Sequence, residues 1–409
     1  MTVEIRPIEA EERTDFISAL EIAAGRHHNG VAIADGSMPM DLDRTLAAFE
    51  DGRIVGGVGS GRLELTVPGA VPVAVARVTL GGVLPTQRRR GVMTEMMTLL
   101  LRDVRERGES VAVGATSAPQ VIRHWGFAPA TLAMGIEVQP HKDAVPQQAG
   151  SVGRLRMLER PEMERLLPAV YGRHLRSQSG QISRPDAFWR VWFRDYEWLR
   201  IGSSARFAVV FEDANEVAQG YLTYRLDPGS LRTHPVSRLV IEDLITVTDE
   251  ARRALWHYCL GFEQACTVAA WNLPVDEPLL WMLSDPRRLA VTRLDGFLWL
   301  RLNDVAAALK ARGYGAFGTI VLDVADPLLG ENAGRYRLWV DRGGVECIRT
   351  DDMAELGLGV NELAAVYLGG FTFASLARAG RVVELSSGSL ARADAFFRPE
   401  SAPWTVTDW

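Results

Sequence analysis

The run Leu84-Pro85-Thr86-Gln87-Arg88-Arg89-Arg90-Gly91-Val92-Met93 constrains this chain more than any other. It joins two periodicities. Upstream, Val73, Val75, Arg77, Val78 and Leu80 read as a strand that runs into Gly81, Gly82 and Val83. Downstream, Met93, Met96, Met97, Leu100, Leu101 and Val104 recur at the spacing of an amphipathic helix. Such a junction points the unpaired N–H groups of a first helical turn outward, where the macrodipole favours an anion. Gly91 lacks a Cβ and lets a phosphate approach the backbone. Arg88, Arg89 and Arg90 can hold phosphate oxygens in bidentate fashion. The paired glycines late in the strand predict a bulge or a close backbone approach. The competing reading is an arginine-rich loop before an ordinary helix.

A chain of 409 residues predicts two or three domains. With 47% hydrophobic and 23% charged residues the composition is that of a soluble globular protein. The net charge of -6 argues against nucleic-acid binding, which needs a basic face, and suits a cationic substrate. Three cysteines, Cys259, Cys266 and Cys347, show neither a disulfide framework nor metal spacing. His27 and His28 diverge on a helix or a strand, so the pair reads as surface loop rather than metal site. No apolar leader and no run of ~18 apolar residues is present, which predicts a cytoplasmic protein with no membrane partner.

In chain order, residues 3–6 read as a strand, 7–24 as a helix, 53–66 as paired strands and 110–115 as a buried strand. Ser117 is a candidate N-cap with Pro119 in the first turn after it. Ala130 to Val138 reads as the strand that closes this unit, and 141–150 as a linker. From Val152 the order of elements begins again, but the second junction is Thr246-Val247-Thr248-Asp249-Glu250-Ala251. It has no glycine or arginine triplet, and its acidic residues satisfy a helix start while repelling phosphate. One anion site per chain is expected, in the first half. A third α+β segment begins near Phe297.

The run from Arg88 to Met93 resembles the pyrophosphate loop R/Q-x-x-G-x-G/A of the GCN5-related N-acetyltransferases (GNAT), with Met93 departing from the small last residue. Further runs resemble the Eis-type branch of that superfamily. They are Trp271-Asn272-Leu273-Pro274-Val275-Asp276-Glu277-Pro278-Leu279, Leu298-Trp299-Leu300-Arg301-Leu302, Tyr367-Leu368-Gly369-Gly370 and Arg392-Ala393-Asp394-Ala395-Phe396-Phe397. The resemblance covers essentially the whole chain. It implies a mixed α/β (α+β) fold with tandem GNAT-like domains, the first functional at 1–145 and the second degenerate at 146–294. A sterol-carrier-protein-like domain would follow at 295–409.

The same resemblance implies an acetyl-CoA-dependent N-acetyltransferase acting on primary amines of an aminoglycoside-like cation or on lysine side chains, assembled as a homo-oligomer, commonly a hexamer. Gly81, Gly82 and Val83 would face pantetheine. Arg88, Arg89, Arg90, Gly91, Val92, Met93 and Thr94 would cradle the pyrophosphate, and Ser117 and Ala118 would touch the cofactor. Asp35, Asp41, Asp43 and Glu50 would flank the acceptor. The general base would be the terminal carboxylate of Trp409. The family's tyrosine acid falls on Ile122, which cannot donate a proton, and His124 would point elsewhere on a helix. Two other readings stay open: a CoA-binding sensor or scaffold with weak or lost transfer, and lipid carriage by the third domain.

Overall fold

The computed structural model describes residues 3–25, 40–116, 118–140, 153–229 and 236–407. They form two compact units. One takes the chain up to Thr131 together with Phe297–Glu400, and the other takes Leu132–Gly296 together with the tail from Ser401.

The first unit is built on strands β1 (Glu4–Pro7), β2 (Thr45–Glu50), β3 (Arg53–Val67), β4 (Val71–Val83), β5 (Val111–Gly114) and β6 (Ala128–Pro129). A seventh strand, Trp299–Leu302, comes from the third segment and lies between β5 and β6. Neighbouring strands run antiparallel except β4 and β5, which are parallel. Helix α1 (Arg13–Ala23) packs on the sheet through Phe16, whose ring occupies the place where a Cβ on Gly57 would fall. That close approach explains the glycine. The long helix α2 (Val92–Glu106) buries Val92, Met96, Met97, Leu100, Leu101 and Val104 against Val58, Ala76, Ala112 and Phe127. This is the apolar face its sequence spacing predicts.

In the same unit, the third segment carries a five-stranded sheet formed by Gly318–Ala325, Gly334–Asp341, Gly344–Arg349, Leu356–Gly359 and Val382–Glu384. Its interior holds Leu322, Leu338, Leu363, Tyr367, Phe373 and Phe397, all buried.

The second unit has strands β7 (Leu132–Val138), β8 (Arg154–Met157), β9 (Phe207–Glu212), β10 (Ala218–Pro228), β11 (Val236–Thr246), β12 (Ala265–Leu273) and β13 (Leu289–Gly296), in the sheet order β13-β7-β12-β11-β10-β9-β8. Helix α3 (Pro119–Arg123) belongs to the first unit, while α4 (Arg160–Leu175), α5 (Asp186–Arg194) and α6 (Asp249–Leu260) belong to the second.

Two sequence expectations change here, and one strand has no sequence signal. Leu132–Val138 forms a strand as expected, but it pairs with β12 and β13 in the second sheet rather than closing the first. Residues 53–66 form one continuous strand rather than two. Strand β13 is exposed along most of its length and lacks the apolar alternation that marks a strand in sequence. Among the described residues, no helix is long and apolar enough to cross a membrane.

Candidate active site

The junction between β4 and α2 is open in three ways. First, the ladder between β3 and β4 slips: Gly57 pairs with Gly82 and Gly59 with Thr79, so two residues of β4 oppose Val58. This is a bulge at Leu80 and Gly81. Second, the parallel pairing of β4 with β5 runs from Val75 to Arg77 only, while β4 continues to Val83. The bonding edge of 78–83 on that side is therefore not taken by β5, and an extended ligand can add to it as a strand does. Third, α2 begins without a side-chain cap. Its N-cap is Gly91 in the left-handed region (φ +84°), and the Val92, Met93 and Thr94 N–H groups fall in the unbonded first turn.

The glycines and arginines of this junction separate into distinct roles. A Cβ on Gly82 would sit 2.9 Å from the Ala23 Cβ, so packing against α1 requires that glycine. Gly81 is exposed, with only Met93 nearby. Arg88 turns back on the fold: its Nε donates to the Val83 carbonyl at 3.2 Å and its Nη2 to the Ala23 carbonyl at 2.8 Å. Arg90 lies 2.9 Å from the buried carboxylate of Glu50 and donates to the Gln87 side chain, which itself donates to Glu50 at 2.7 Å. Arg89 is exposed, with φ at +63°, and among the described residues its side chain has no partner. The triplet thus contains one architectural arginine, one braced arginine and one without a partner among the described residues. Of the carboxylates expected to attract an amine, Glu50 is engaged by Arg90 and Asp43 by Arg107. Asp35 lies outside the described residues.

The segment that reaches the first turn of α2 from the other side begins with α3. Its N-cap is Ala118, and Pro119 stands in its first turn; Ser117 lies outside the described residues. Ile122 is buried in the core beneath α2, beside Met96 and Phe127, while His124 is exposed. Trp125 is half-buried and brings its indole Nε1 to 3.5 Å from the Thr94 Oγ1, across the first turn of α2.

The second unit has the corresponding junction in a closed form. Thr248 caps α6, with its Oγ1 accepting from the Ala251 N–H at 3.2 Å, and Asp249 and Glu250 occupy the first turn. Arg252 is buried and paired with Glu277.

Residues 4–130 match the acetyltransferase (GNAT) domain family, residues 180–302 match a second acetyltransferase (GNAT) domain family, and residues 305–406 match the sterol carrier protein domain family. An uncharacterised N-acetyltransferase of Streptomyces avermitilis is 34% identical over 411 residues, 99% of either chain. The N-acetyltransferase Eis of Mycobacterium tuberculosis is 32% identical over 400 residues, covering 94% of this chain and 91% of that one. The crystal structure of Eis1 from Mycobacterium abscessus superposes with a TM-score of 0.86 at 31% identity, over 100% of both chains.

The chain belongs to the Eis-type N-acetyltransferases. It is an acetyltransferase with two GNAT domains and a sterol-carrier-like domain, and the GNAT fold is one that binds acyl-CoA. The tyrosine that the resemblance implies as the acid has no counterpart in the first GNAT domain. Ile122 is a core residue, and the first tyrosine of the whole sequence is Tyr171. No phenol is therefore available from the first GNAT domain.

The tail that would carry the family's base is packed through its last described residue. The Trp404 N–H donates to the Ser179 carbonyl at 2.8 Å, and its indole donates to Asn272 Oδ1 at 2.8 Å. Asn272 in turn donates to the Thr405 carbonyl at 2.9 Å. Arg184, buried and paired with Asp243, donates from Nε to the Thr407 Oγ1 at 2.9 Å. Trp409 lies outside the described residues.

Proposed function

We propose that this acetyltransferase moves the acetyl group of acetyl-CoA to a primary amine of a cationic small molecule of the aminoglycoside type, or to a lysine side chain. The observation that carries the coenzyme reading is the uncapped start of α2 beside the end of β4, whose edge facing β5 is not taken by that strand. Amide groups and Arg89 meet the diphosphate there, and the open edge of 78–83 meets the amide-bearing pantetheine arm. Val83, Arg88 and Gly82 shape this groove, and Arg90, held by Glu50, borders it.

In the reaction a neutral amine attacks the thioester carbonyl, a C–N bond forms and the C–S bond breaks. An alkylammonium near pKa ~10 must first lose a proton. The base is assigned, by likeness to the family, to the carboxylate of Trp409. With Ile122 in the tyrosine's place, the thiolate departs unprotonated or takes its proton from water, which a leaving group of pKa ~8.5 tolerates. Mass spectrometry of an amine panel, coupled to thiol release, tests the proposal. Acetylated amine with one thiol released per acetyl is expected, and no product from any amine contradicts it.

The burial of Ile122 favours a second reading, a CoA-binding protein with slow transfer acting as a sensor or scaffold. It gives coenzyme binding without thiol release. Lipid carriage is disfavoured by the buried Arg312 guanidinium, which lies among Tyr314, Tyr367 and Phe397 and donates to the Tyr367 and Phe397 carbonyls. Homo-oligomeric assembly, hexameric as in the family, is part of the same proposal.

A further inference from the structure

The third segment does more than follow the acetyltransferase domain in sequence. Its strand Trp299–Leu302 pairs with both β5 and β6, and Trp299 and Leu329 enter the cluster that holds Val92, Met96 and Ile122. Two of its polar side chains, Arg301 and Asn361, converge on one short stretch, the turn that ends α3.

Arg301 is wholly buried. Its Nη1 donates to the Trp125 carbonyl at 2.7 Å and its Nη2 to Asp326 Oδ2 at 2.6 Å. Asp326 is itself fixed, because its Oδ1 accepts from the Leu328 and Leu329 N–H groups at 3.1 and 3.0 Å. The guanidinium fills the space beneath Gly126, where a Cβ would fall 1.5 Å from Nη1 and where φ is +82°. From another direction Asn361, at the start of the helix Val360–Tyr367, donates from Nδ2 to the Arg123 and Phe127 carbonyls, each at 2.9 Å. Three carbonyls that close α3 therefore end on third-segment side chains. The residue in the middle of this clamp is Trp125, whose indole reaches Thr94 in the open turn of α2.

We propose that Arg301 and Asn361 are positioning residues for the acetyltransferase, clamping the turn Arg123–Phe127 so that Trp125 stands as the side wall of the coenzyme groove at Thr94. The proposal rests on the reading of the α2 start as the coenzyme site. Arg301 is the stronger half of the clamp but is buried, and its replacement threatens the fold. Asn361 is half-buried and is the residue to test.

The experiment is a double-mutant cycle in the full chain with Asn361→Ala and Trp125→Ala, read by calorimetric Kd for CoA, by KM for acetyl-CoA and by Tm. Packed networks of this kind shift a distant site by roughly 3- to 30-fold, and that is the expected rise in Kd and KM for Asn361→Ala. In the Trp125→Ala background the same substitution is expected to leave Kd unchanged, because the wall it positions is gone. Asn361→Ser, which keeps one donor, is expected to fall between wild type and alanine. A lowered Tm with unchanged Kd and KM would reduce Asn361 to a packing residue and overturn the proposal, as would losses that simply multiply. Wild-type protein that binds no CoA would overturn the coenzyme reading itself, and this proposal with it, an outcome separate from the others.

Discussion

The two strand-to-helix junctions of this chain stand at equivalent places in two GNAT domains and do opposite things with the same backbone chemistry. At α2 the first turn is left without a cap: the cap position is a glycine, the charged neighbours are arginines, and one of them, Arg89, has no partner among the described residues. At α6 the first turn is satisfied from within, by the Thr248 hydroxyl and by two acidic residues that suit the positive end of the helix. A helix start can hold an anion only where its own sequence leaves the first turn unfilled.

The largest expected effect comes from making the first junction resemble the second. Thr94→Asp places a carboxylate on the exposed face of the open turn, where it repels the diphosphate while favouring the helix dipole. Like charges juxtaposed in a binding site oppose association by several kcal/mol, so CoA affinity is expected to fall on the order of 100-fold. Tm should hold or rise. Calorimetry and thermal melting on the same sample check the pair of outcomes.

The next effect belongs to the second unit and involves no ligand. Burial pushes the His174 imidazole down to about 4, with the backbone bond to the Thr246 carbonyl opposing the shift. The folded state keeps the ring neutral while the unfolded chain takes up a proton below its ordinary value near 6.5. Stability is therefore full above pH ~6.5 and is lost as pH falls toward 4, by about 3 kcal/mol at most. Denaturant midpoints measured from pH 7 to 4.5 check this, and His174→Gln should flatten the slope.

Arg89→Ala removes the exposed guanidinium of the first junction. A hydrogen bond to a charged group contributes about 1.5–3 kcal/mol, so CoA affinity should drop roughly 10- to 100-fold. Arg90→Ala should lose less, because Glu50 already shares that side chain. The smallest effect is the mirror control. Thr248→Ala should destabilise the protein by about 1 kcal/mol through the lost cap and leave CoA affinity unchanged.

The contrast between the junctions was legible in the sequence because caps, glycines and charges act within a few residues. The helix spacing from Met93 to Val104 likewise fixes which face is buried. What a local reading did not reach depends on distant pairing. Leu132–Val138 reads as a strand, but nothing within it says that β12 and β13 are its partners. The insertion of Trp299–Leu302 between β5 and β6 joins residues far apart in the chain. The three arginines look equivalent in sequence and differ only in which acceptors the fold brings near: the Val83 and Ala23 carbonyls for Arg88, Glu50 for Arg90. The reason Gly82 lacks a Cβ is likewise distant in sequence, since the atom it would meet is the Ala23 Cβ. The clamp of Arg301 and Asn361 on α3 has no local signature, since its acceptors are backbone carbonyls.

The most direct test is the stoichiometry of CoA binding to the intact protein by isothermal titration. One coenzyme per chain is predicted, weakened on the order of 100-fold by Thr94→Asp and untouched by Thr248→Ala. Two coenzymes per chain, or none, would contradict the claim that the uncapped start of α2 alone holds the diphosphate.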